Sequence, residues 1–89
     1  MLTIFKYPIS VQENLIDLPV GSEILTIQLQ NGEPHIWVKL DDEELDTEVH
    51  SFTVVGTGWK LGEIGNYLGT WQQNGLVWHV FHQKNIGYE

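Results

Sequence analysis

The chain has 89 residues, 42% of them apolar and 11% aromatic, with a formal net charge of −8 and no cysteine. That length holds one domain, and the missing cysteines exclude disulfides and thiolate metal sites and fit a reducing, intracellular setting. Twelve acids against four lysines and no arginine argue against direct nucleic-acid binding, which rests on cations neutralising phosphates.

In chain order, MLTIFKYPIS lacks the basic region, long apolar stretch and cleavage site of a signal peptide. No apolar run approaches the ~18 residues of a membrane span, so no membrane contact is expected. Leu2–Tyr7 reads as a strand and Asn14–Leu18 as a short second one. Pro8 and Pro19 belong at strand ends because proline cannot donate to a ladder. Leu18-Pro19-Val20-Gly21 reads as a turn with proline second and glycine fourth.

Two Asn-Gly pairs follow. Asn31-Gly32 separates EILTIQLQ from EPHIWVKL, and Asn74-Gly75 separates NYLGTWQQ from LVWHVFHQ. A type I′ turn needs positive φ at both central residues, so each pair predicts a β-hairpin and fixes its register. In the first hairpin Leu29, Ile27 and Leu25 then face Pro34, Ile36 and Val38 on an apolar side. Ile24 faces Lys39 and Thr26 faces Trp37 on a mostly polar side. In the second, Trp71 faces Trp78 and Gly69 faces Val80, while Thr70 faces His79 and Leu68 faces Phe81 on the other side. Both of its faces are largely apolar, which predicts burial on two sides, inside a sandwich or against another subunit. With Glu48–Val55 as a further strand and no sustained helical period, the expected fold is a single all-β domain over residues 1–89. It is a small antiparallel sandwich or partly open barrel of six or seven strands.

Six acids, Asp41, Asp42, Glu43, Glu44, Asp46 and Glu48, crowd one segment. They form either a solvated loop or an anionic patch that docks on a basic partner. The stretch VVGTGWKLG at residues 54–62 matches neither a dinucleotide fingerprint nor a Walker loop. It reads as a glycine-enabled corner or as a ligand-contacting loop in which Gly56, Thr57, Gly58 and Trp59 meet a bound group. Both glycines are expected in backbone conformations closed to other residues. His79 opposite Thr70 is either a satisfied core histidine or a pocket-lining pair.

His79 and His82 point to opposite faces of a strand and cannot share a metal; no metal site is expected. Ser10, Ser22 and Ser51 carry no nucleophile motif, and the clustered carboxylates lie in a loop without desolvation. The expectation is a protein that is not an enzyme and holds no cofactor. Trp37, Trp71 and Trp78 are candidates for a subunit interface, either buried by packing or presented to a second copy, and a homo-oligomer, a dimer, is expected.

Leu18-Pro19-x-Gly21, Gln30-x-Gly32-x-Pro34-x-x-Trp37, Gly56-Thr57-Gly58, Tyr67-x-Gly69-Thr70 and Val77-Trp78-His79-x-Phe81 together resemble a family of small proteins encoded by tailed bacteriophages and prophages. The resemblance spans about residues 5–82. One departure stands out: the family usually carries histidine after Gly-Thr-Gly, where this chain has Trp59. The resemblance implies phage origin and action in the host cytoplasm; analogy with other small phage proteins, not the family itself, adds the expectation of action against a host defence, in one of two modes. One is sequestration of a small signal molecule, nucleotide-derived ones included, at Gly56, Thr57, Gly58, Trp59, Thr70 and His79. The other is inhibition of a host protein through the acidic segment.

Overall fold

A computed structural model describes residues 1–84 of the chain. It contains seven strands: β1 (Leu2–Pro8), β2 (Gln12–Pro19), β3 (Glu23–Gln30), β4 (Glu33–Asp41), β5 (Thr47–Gly56), β6 (Asn66–Gln73) and β7 (Leu76–Lys84). They form two antiparallel sheets, a three-stranded one in the order β1-β4-β3 and a four-stranded one in the order β2-β5-β7-β6. The sheets pack as a sandwich and do not close into a barrel. No helix of the structure is long and apolar enough to cross a membrane.

Both Asn-Gly pairs take positive φ at both residues, 53° and 78° at Asn31-Gly32 and 54° and 80° at Asn74-Gly75. The expected registers hold next to these turns, with Ile27 opposite Ile36 and Trp71 opposite Trp78. Farther along, each hairpin departs in the same way. A bulge leaves Leu25 unpaired, so Ile24, not Leu25, faces Val38, and Glu23 faces Lys39. A second bulge leaves Leu68 unpaired, so Tyr67 takes its place opposite Phe81. The two bulges lie at the same distance from their turns. An inserted residue bends the strand and re-aims the side chains around it: Ile24 and Leu68 both pack on the core, while Leu25 is left exposed. Leu29, also expected inside, is exposed because β3 is an edge strand.

The turn after β2 is shifted by one residue from its expected place. The Ser22 amide donates to the Pro19 carbonyl at 3.1 Å, which puts Gly21, at φ 88°, in the third position, where a type II turn requires positive φ.

The core is fully buried Ile36, Val38 and Leu40 of β4 against Leu18, Phe52, Val54 and Val80 of the other sheet. Gly69 belongs to this contact: a Cβ there would strike Cγ2 of Ile27 on the opposing sheet, so the missing side chain lets β3 lie close over β6. The outer face of the second hairpin is only half covered, with Tyr67 61% exposed; the burial on both faces expected from its sequence does not occur within one chain.

Candidate functional site

At one end of the sandwich the two hairpin turns come together. The Gln73 side-chain amide donates to the Gly32 carbonyl across the sheets, while its Oε1 accepts from the Trp71 indole at 3.2 Å. The β1–β2 connection approaches the same end, where the Ile9 amide donates to the Pro34 carbonyl at 3.1 Å. Asn14 fixes that connection: its Oδ1 accepts from the Ser10 amide at 3.0 Å, and its Nδ2 donates to the carbonyls of Ser10 at 2.8 Å and Phe52 at 2.9 Å. Between these three segments the sheets leave a cavity of about 620 Å³. Ile9, Val54, Trp71 and Trp78 line its interior and Pro8 and Pro34 its sides, with Ser10, Asn14, Glu33, Gln73 and Asn74 adding the polar part of the lining. Sequence reasoning named none of these as ligand-binding. The only advance signal was a pair of facing tryptophans.

The residues expected at a ligand site divide into two groups. Thr57, Thr70 and His79 do meet, on the outer face of the four-stranded sheet. Thr57 Oγ1 lies 2.7 Å from Nε2 of His79, Thr70 Oγ1 lies 3.0 Å from its Nδ1, and Tyr67 completes the row with its hydroxyl 2.6 Å from Thr70. Thr57 also donates to the Val77 carbonyl at 3.2 Å. A neutral His79 protonated on Nε2 therefore satisfies the whole chain: Tyr67 donates to Thr70, Thr70 to His79, His79 to Thr57, and Thr57 to the backbone.

The second group supports the cavity from behind. Gly58 has φ 91°, as expected, but Gly56 does not take a positive φ. It is glycine because a Cβ would lie 2.9 Å from Nε1 of Trp59, which folds back over the strand. Trp59 then meets Trp78 edge to face, at 5.7 Å between centroids and 85° between planes. Gly56, Thr57, Gly58, Thr70 and His79 do not line the large cavity. Trp59 lines a smaller one of about 330 Å³ under residues 59–64. The Gly-Thr-Gly stretch is thus a bracket: Thr57 ties the loop to β7, and Trp59 backs Trp78, one of the two tryptophans that line the large cavity.

Of the expected interface residues, Trp71 and Trp78 lie between the sheets and pack on the core. Trp37 is on the outer face of the three-stranded sheet, with Nζ of Lys6 5.8 Å from its ring and its own Nε1 buried without a partner among the described residues. The acidic segment has an internal role. The amino group of Met1 lies 2.8, 3.2 and 3.4 Å from Asp41, Asp42 and Glu43. Its bond to Asp41 raises the ammonium pKa and lowers that of the carboxyl. Glu44, Asp46 and Glu48 remain outside these pairs.

At the far end, two histidines face inward. His50 is buried and stacks on His82 with ring centroids 5.1 Å apart, and Phe52 stacks on His82 at 4.9 Å. Burial pushes both imidazoles below the usual histidine range. Lys84 adds to the fall at both sites, His50 lowers His82 further, and Glu48 partly opposes the fall at His50. No group of three or more metal-ligating side chains occurs among the described residues.

The fold and this end of it define a two-sheet antiparallel sandwich with a cavity held open by side-chain hydrogen bonds. The chain belongs to the family described as Domain of unknown function (DUF7352), which matches residues 1–88. No curated protein and no solved structure matches the chain.

Proposed function

We propose that this protein binds a small molecule, without covalent chemistry, in the cavity between its sheets. The observation that carries this reading is the cavity itself. Its 620 Å³ falls within the roughly 300–1,000 Å³ of small-molecule sites, which are mainly apolar with a few placed polar groups. Here Asn14 and Gln73 spend their hydrogen bonds on holding the surrounding segments in place. The ligand site moves, on this reading, from the Gly-Thr-Gly loop to Trp71 and to Trp78, which that loop supports.

The cavity is formed within one chain, so this function does not require the second copy expected from the hairpin faces. In the infected bacterium that the resemblance implies, such a binder would act by sequestering a signal molecule. The test is a thermal-shift screen of aromatic fragments, repeated on Leu76→Trp, because Leu76 also lines the cavity and, at 56% exposure, leaves room for a larger side chain that narrows it. Fragments that stabilise the parent chain and not Leu76→Trp support the reading. A screen in which no fragment stabilises the parent at millimolar concentration refutes it.

A further inference from the structure

We propose that the cavity takes an organic cation carrying an aromatic ring. This rests on the reading of the cavity as a binding site and adds the chemistry of what enters it.

Three observations point to that class. Two indoles, Trp71 and Trp78, line the cavity, and tryptophan is the side chain whose ring quadrupole attracts a cation most strongly. Among the described residues, Glu33 is the only charged one in the lining. None of Lys6, Lys39, Lys60 and Lys84 lines the cavity, the chain has no arginine, and its net charge is −8. The potential at the cavity is therefore negative from both near and distant charges, and a cation is drawn in.

The same inventory argues against a phosphate. An anion entering here would lose its hydration and find no lysine or arginine to replace it. Both amide hydrogens of Asn14 are committed to backbone carbonyls, and one of Gln73's is, which leaves few donors for an anion. A nucleotide-derived ligand, one of those the sequence left open, is the wrong charge for this cavity. Its volume also exceeds what a bare methylated ammonium would fill, so the apolar interior calls for a ring as well as a charge.

The experiment compares three probes of similar size by tryptophan fluorescence and by the indole N–H signals of Trp71 and Trp78 in NMR spectra. They are benzyltrimethylammonium, its uncharged carbon isostere neopentylbenzene, and phenyl phosphate. The cation should bind about tenfold or more tightly than its isostere, a margin within the range of desolvated cation–π contacts, and phenyl phosphate should not bind. Glu33→Gln should weaken the cation several-fold and leave the isostere unchanged. Equal affinity for cation and isostere, or binding of phenyl phosphate, overturns the cation and leaves the cavity as a binding site. If no probe moves either indole signal, both readings fail.

Discussion

Nδ1 of His50 lies 2.9 Å from Nε2 of His82 across the β5–β7 pair, so a single proton serves the two nitrogens. If His50 supplies it, His50 keeps a bare lone pair on Nε2, which has no partner among the described residues. The other arrangement would strand a buried N–H there, at greater cost. A second proton between the rings would set N–H against N–H and place a charge in a desolvated stack.

That geometry fixes a pH dependence. Both folded pKa values are lowered by burial, so between them and the unfolded value of about 6.5 the unfolded chain binds more protons. Stability is complete above about pH 6.5 and falls as pH drops through the folded values. Melting temperatures taken from pH 8 to pH 5 should decline below that point, and His82→Phe should flatten the decline. A profile in which His82→Phe leaves the acid slope unchanged would assign it to carboxylates instead.

Asn14 holds the β1–β2 connection through bonds to two different segments. Asn14→Ala leaves the Ser10 amide and the Phe52 carbonyl without these partners and should cost about 1–3 kcal/mol. Urea denaturation measures it; a loss within 0.5 kcal/mol, the ordinary range for surface changes, would mean that water replaces the side chain.

The loop glycines separate by mechanism. Gly58→Ala puts a Cβ at φ 91° and should cost about 1 kcal/mol through strain alone. Gly56→Ala should instead displace Trp59, changing tryptophan emission. Thr57→Ala removes the bonds to His79 and Val77 at an exposed position and should cost about 1 kcal/mol, with Thr57→Ser recovering most of it. Unchanged emission in Gly56→Ala would show that Trp59 does not rest on this strand.

Gly69 and Ile27 are predicted to be energetically coupled. Gly69→Ala should destabilise strongly by forcing the sheets apart, and should cost less when Ile27 is already alanine. A double-mutant cycle giving additive losses, within about 0.5 kcal/mol, would contradict the contact.

The turns were legible because their requirement is local: positive φ at two adjacent residues names Asn-Gly whatever surrounds it. The Thr70–His79 pairing followed from the same register. The bulges at Leu25 and Leu68 were not legible, because they answer a demand from the other sheet, which needs Ile24 and Leu68 turned inward. The His50–His82 pair required knowing that β5 lies beside β7, and nothing local to either residue states that. The cavity was hidden for a related reason, since Ile9, Pro34 and Trp71 meet only once both sheets have formed.

The strand order also dictates a timetable for synthesis. Each hairpin closes on neighbours in sequence, whereas β1 pairs with β4 and β2 with β5, whose partners lie from Pro8–His35 to Gln12–Val54, roughly a third of the chain or more apart. Distant pairings are slow because a long loop must close before any contact rewards it. β1 and β2 therefore wait longest for their partners after they are made. They supply one edge strand to each sheet. A nascent chain stalled once Asp41 has emerged, but before Thr47, can dock β1 on the first hairpin while β2 has nothing to pair with. The second sheet cannot begin until β5 emerges.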